Sequence, residues 1–250
     1  MRLLIHAGLH RTGTSSTQST LLQISDQLLK HDIYFPKLSS NGNGYPLAYQ
    51  VVAGNFSMMK KVIQDASKKI SQNGIILISA EDFENLLKDT NIAKCFTLFM
   101  KENFKIEIEW IFVYRNQFEY FESIYARLCD TAFPNILNYW HLAKFILNNG
   151  HFSLNTYADN YLMEAPQLHF IFDYELFFKR FQSEIKGAIN FLPFHEMHKS
   201  FSGAKILELC DVPIRDIKGL GTKIDNSKIR INKSVDDISI EYNYLAKFLN

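Results

Sequence analysis

Apolar residues along much of this chain come in short unbroken runs, with little alternation against polar ones. Four such runs, Leu3–Ala7, Ile75–Ser79, Trp110–Tyr114 and Leu168–Asp173, have the length of strands and no polar face. A strand without a polar face is buried on both sides, which predicts a parallel sheet covered by helices above and below. The segments Ser15–Lys30, Ser57–Gln72 and Gln117–Cys129 carry helical spacing, so strands alternate with helices in the α/β manner. Two intervals fit a single helix poorly. Ile33–Gly54 contains Pro36, Gly42, Gly44 and Pro46 and reads as an irregular excursion. Pro134–Pro166 is helical in spacing and rich in aromatics: Tyr139, Trp140, Phe145, Phe152, Tyr157 and Tyr161. No Pro/Gly/Ser-rich linker separates two regimes, so residues 1–250 are expected to form a single domain.

Composition narrows the function classes. Apolar residues make up 47% and charged residues 21%, ordinary values for a globular chain long enough to bury a core without disulfides or metal. The net charge of +1 supplies no global field for nucleic acid or an anionic membrane, so any anion must be met by a local site. Cys95, Cys129 and Cys210 are scattered and read as reduced core thiols of a cytoplasmic protein. The run at Leu3–Ile5 is too short for a signal segment, and no apolar stretch is long enough to span a membrane.

Two motifs carry chemistry. After the first strand comes Gly8-Leu9-His10-Arg11-Thr12-Gly13-Thr14-Ser15-Ser16, opening a helix. Free N–H groups of such a loop and of the first helical turn converge on one point, which suits an anion. Gly8 and Gly13 match the glycine frame of a Walker A loop, but the position after Gly13 is Thr14 where that loop has lysine, and the positive charge sits earlier, at Arg11. The second motif begins at Arg115, where the strand Trp110–Tyr114 emerges, with Ser123 eight positions on in the following helix. Ligands of open α/β sheets bind outside the carboxyl ends of the strands. Arg115 and Ser123 could share an anion there; alternatively Arg115 pairs with Glu119 and Ser123 faces solvent.

The stretch Ile5–Gln18 resembles the 5′-phosphosulfate loop of sulfotransferases that use 3′-phosphoadenosine-5′-phosphosulfate (PAPS), particularly the bacterial carbohydrate-type members, with Arg11 where Lys is usual. Arg keeps the charge and adds a planar fork of donors, but it is bulkier. Tyr114-Arg115 with Ser123 and Tyr125 resembles the family's 3′-phosphate motif, with Asn116-Gln117 replacing the usual Asp-Pro. The resemblance implies a P-loop-like α/β fold with helices on both faces of the sheet. It implies a 5′-phosphosulfate held by Arg11, Thr12, Gly13, Thr14, Ser15 and Ser16, and a 3′-phosphate held by Arg115 and Ser123. Ile75–Phe83 is similar to a family strand that ends in an acid, which makes Glu81 the candidate general base. His10, inside the loop and titrating near neutrality, is the competing base. Arg11 would stabilise charge on the sulfuryl oxygens. The Lys223–Ser234 segment resembles a late family element, so Lys228 or Arg230 would approach phosphate. His169–Phe177 is similar to an architectural strand-to-helix element. PAPS would be co-substrate and PAP the product, with no metal, and the acceptor would be a hydroxyl, on a saccharide by the bacterial likeness. The oligomeric state is open. Two other readings stay beside this one: a small-molecule kinase with a degenerate P-loop, and a non-catalytic nucleotide-binding protein.

Overall fold

The computed structural model describes residues 1–131, 139–154, 168–198 and 200–229. Five parallel strands form the main sheet: β1 (Arg2–His6), β2 (Ile33–Tyr34), β3 (Ile75–Ser79), β4 (Glu107–Tyr114) and, late in the chain, a fifth at Ala188–Pro193. Between β4 and that fifth strand come β5 (His151–Leu154) and β6 (Leu168–Ile171), so the fifth is β7. The order across the sheet is β2-β3-β1-β4-β7. β1 is paired in register with β3 on one side (Leu4 with Leu77) and with β4 on the other (Leu4 with Glu109).

The unbroken apolar runs are explained by what each side of the sheet meets. Leu3, Ile5, Ile76, Ile78, Trp110 and Phe112 belong to one buried cluster. Their neighbours Leu4, Ile75, Leu77, Ile111 and Val113 belong to another. Successive side chains of a strand point to opposite faces, so a sheet with a core on each face needs apolar residues at every position.

The helices divide accordingly. α1 (Thr14–Gln23) and the short α2 (Ser25–Leu28) place Leu21, Ile24 and Leu28 or their flanks in the second cluster. α3 (Tyr45–Val52), α4 (Ser57–Ala66), α5 (Asn85–Lys88) and α6 (Thr90–Phe104) bury residues such as Leu47, Met59, Leu86 and Phe96 in the first. So do α7 (Gln117–Thr131), α8 (Tyr139–Asn149) and α9 (Tyr174–Glu184), through Tyr120, Ile146 and Phe181. α10 (Ala204–Leu209) and α11 (Ile214–Gly221) return to the second face with Leu207 and Ile217. Among the described residues, no helix is long and apolar enough to cross a membrane.

Four sequence expectations change. Leu168–Ile171 is a strand but pairs antiparallel with β5 in a separate two-stranded sheet. Its apolar residues are covered because Phe170 stacks on Phe152 and reaches His10, which hides them without the main sheet. The fifth parallel strand is β7, an edge strand whose partial exposure gave it no unbroken apolar signature. The excursion Ile33–Gly54 contributes β2 and α3, with Pro46 in the first turn of α3, where a proline lacks nothing a helix needs. Of the cysteines, Cys210 is buried and Cys95 is exposed, so Cys95 is no core thiol. The Cys129 side chain and the expected terminal helix lie outside what is described.

Candidate functional site

β1 and β4 are neighbours, but the helices that follow them pack on opposite faces of the sheet, α1 on one and α7 on the other. Such a divergence opens a crevice at the carboxyl ends of the two strands. The glycine loop fills it. Ala7 N donates to Ile111 O (2.8 Å) and Leu9 N to Val113 O (3.0 Å), so the loop's first residues still run along β4. It then folds back over Gly8, where any Cβ would come within 2.6 Å of Thr14 Cγ2 and 3.0 Å of Thr12 Oγ1. Arg11 and Gly13 take the left-handed conformation, with φ of 65° and 74°; for arginine this is uncommon and strained.

The site residues expected in this loop divide into two groups. Thr12 is buried and closes the loop: its N and its hydroxyl both donate to Leu9 O. Gly13, Thr14, Ser15 and Ser16 form the start of α1, where Gly13 supplies no side-chain cap and the first turn holds no acid. Thr17 N is the donor that reaches back to Gly13 O, at 3.1 Å. A helix start without a cap, next to a glycine cradle, favours negative charge.

The cation of the loop is aimed across the crevice. Arg11 Nε donates to Ser123 Oγ at 2.9 Å, joining the loop to α7. Arg115, at the end of β4, does not meet Ser123 directly. Its Nε binds Glu119 Oε2 at 2.9 Å and its guanidinium lies 5.1 Å from the Phe194 ring centroid. Ser123 is therefore grouped with Arg11, and Arg115 with Glu119.

Glu81 stands in a short 3-10 turn, Glu81–Glu84, directly after β3. Gln18 Nε2 donates to its Oε2 at 2.8 Å and Asn43 Nδ2 to its Oε1 at 3.5 Å. Both amides fix the orientation of the carboxyl group. Gln18 is fully buried on α1, so it locks the turn after β3 to the helix after the loop. Asp82 beside it is buried, and burial together with the Glu81 charge raises its pKa.

His10 differs from its expected behaviour. Burial lowers its pKa, the Glu81 carboxylate opposes that shift, and Arg11 adds to it. The ring is neutral at physiological pH and tilted against Phe170 with centroids 5.1 Å apart, and its Nε2 is buried without a hydrogen-bond partner among the described residues. Its main-chain N donates to Glu84 Oε2 at 2.8 Å.

Glu84 escaped the sequence reading. It is fully buried and also accepts from Ile171 N of β6 (2.7 Å) and from the Tyr120 hydroxyl of α7 (3.1 Å). The available signal was its place at the end of the acidic run Glu81-Asp82-Phe83-Glu84, but nothing in that run distinguishes an inward acid from an outward one. Arg230 lies outside the described residues, as does the Lys228 side chain.

A cavity of about 800 Å³ lies between the starts of α7 and α9 and the end of α8, with walls including Phe118, Phe121, Ile146, Phe172 and Leu176. Phe121 precedes Ser123 by two residues, about 200° round the helix, so this cavity opens on the other side of α7 from the loop. Among the described residues, no group of histidine, cysteine or acidic side chains could hold a metal ion. Compared with models of protein families and with curated proteins, the chain matches none of either.

Proposed function

We propose that this chain is a PAPS-dependent sulfotransferase transferring a sulfuryl group to a hydroxyl, on a saccharide acceptor. The observation that supports it most is the Arg11–Ser123 contact across the crevice, which sets the loop's cation against the helix carrying the second anion motif. The loop fits a phosphosulfate: a cradle that any Cβ at Gly8 would fill, and a helix start without a cap. A 3′-phosphate would take up Arg115 and Ser123. The Arg115–Glu119 pair is partly exposed, and such pairs are worth about 0–1 kcal/mol. A dianionic phosphate, whose charged hydrogen bonds are worth about 1.5–3 kcal/mol each, can displace it.

The bound donor supplies a sulfuryl group whose bond to the 5′-phosphate breaks as the acceptor oxygen bonds sulfur. The protein's work is positioning and charge stabilisation. Arg11 and the first turn of α1 face the departing phosphate and the sulfuryl oxygens. Glu81, held in place by hydrogen bonds from Gln18 and Asn43, accepts the acceptor's proton. His10, neutral and with its Nε2 unpartnered among the described residues, is the second base within this neighbourhood.

Calorimetry with adenosine 3′,5′-bisphosphate against ADP tests the donor. The bisphosphate should bind more tightly, and Arg115→Ala should erase that preference; equal affinities, or a preference that survives the substitution, overturn the reading. Glu81→Gln should leave bisphosphate affinity intact and lower turnover about a hundredfold or more. Unchanged turnover would assign proton transfer elsewhere, and no turnover in the wild-type chain would favour a nucleotide-binding protein without catalysis.

A further inference from the structure

Glu84 is absent from the chemistry above, yet it lies at the centre of the contacts beneath it. A buried carboxyl is costly unless its oxygens are satisfied, and here each oxygen has a main-chain donor: His10 N on Oε2 and Ile171 N on Oε1. The Tyr120 hydroxyl bridges the two at 3.1 and 3.4 Å. His10 belongs to the loop and Tyr120 to α7. The same two elements are joined a second time, from Arg11, the next loop residue, to Ser123, three positions on from Tyr120 and its neighbour on the helix surface. Loop and helix are thus linked by two rungs. The outer one consists of the two groups that would meet an anion. The inner one is sealed.

We propose that Glu84 is a positioning residue of the anion site, holding the glycine loop and the Ser123-bearing helix at a fixed separation while the outer Arg11–Ser123 rung exchanges with ligand. This rests on the nucleotide-binding reading of the site and is indifferent to which group is transferred. A carboxyl suits the task because both main-chain donors need an oxygen. The tyrosine hydroxyl can donate to the ionised acid or accept the proton of the neutral one. The joint therefore holds in either form, which matters for a group that burial pushes up to about 8. Glutamine offers one oxygen only, so its NH₂ would face one of the two main-chain N–H groups.

The test compares adenosine 3′,5′-bisphosphate with adenosine 5′-monophosphate by calorimetry. The monophosphate reads the loop alone, and the ratio of affinities reads the spacing between loop and helix. In Glu84→Gln the bisphosphate preference should fall about tenfold while monophosphate affinity changes by less than about threefold. Tyr120→Phe, which keeps both main-chain bonds, should give a smaller loss of the same kind and carries the test if the glutamine variant does not fold. Thermal unfolding of each variant shows that it is folded. A preference unchanged in folded Glu84→Gln, or equal losses for both ligands, overturns this role alone. A wild-type chain with no bisphosphate preference overturns the nucleotide reading and this role with it.

Discussion

Arg11 Nε and Ser123 Oγ meet at 2.9 Å although 112 positions separate them in the chain. The contact links a loop that leads into α1, packed in one hydrophobic core, to α7, packed in the other. It also requires the arginine backbone to sit at a φ of 65°. A side chain held in a conformation that glycine would occupy more readily is a sign that the side chain itself is wanted there.

Arg11→Gly follows from that strain. Removing the Cβ should stabilise the fold by up to about 1 kcal/mol, while deleting the charge should weaken adenosine 3′,5′-bisphosphate binding by about tenfold or more. Thermal unfolding and calorimetry on the same variant check both. A variant that loses stability would show that the guanidinium, through its bond to Ser123, matters more to the fold than the backbone strain does.

Gly8→Ala has no room. Its methyl would press on Thr14 Cγ2 at 2.6 Å and on Thr12 Oγ1 at 3.0 Å, both on the folded-back half of the loop. Overpacking of this kind costs about 1–3 kcal/mol. Urea denaturation should show that loss, and anion binding should disappear with it.

Glu119→Gln removes the carboxylate that occupies Arg115. The freed guanidinium should bind a 3′-phosphate more tightly, by about two- to fivefold given the small worth of an exposed pair. Affinity for ADP should not change. Calorimetry with the two nucleotides separates these outcomes.

Stability should depend on pH through Glu84. Its neighbours are His10 of the loop, Asp82 of its own turn, Tyr120 of α7 and Tyr174 of α9. Burial raises its pKa from 4.5 to about 8, so between those values the folded chain holds a proton that the unfolded chain has released. Its contribution is therefore complete below 4.5 and is lost as pH rises to about 8. His6, lowered by burial to about 3, acts with the opposite sign and only below its ordinary 6.5. Between 6.5 and 8 stability should fall with pH, at no more than about 1.4 kcal/mol per unit for Glu84. Urea denaturation across that window should show a flatter slope in Glu84→Gln.

The central strands were readable because burial on two faces leaves an unmistakable mark: every position of Ile75–Ser79 is apolar or small, and every one is buried. The glycine loop was readable for a local reason, since Gly8 and Gly13 meet steric demands set within nine residues. Partnerships across the fold were not. The contact between Ser123 and Arg11 has no sequence signal, because it depends on how far α7 leans over the loop. Glu84 and Gln18 act through hydrogen-bond partners 36 to 87 and 61 to 63 positions away, distances at which composition and spacing carry no signal. β7 was missed for a related reason: an edge strand is half covered and resembles a loop in pattern.

Of the two hydrophobic cores, one holds α1 and the other α7. They also make the crevice a joint sensor of both. Loosening Leu21 on one face or Ile124 on the other displaces a different wall of the same cleft, so lesions in either core should converge on one phenotype, loss of anion capture before loss of the fold.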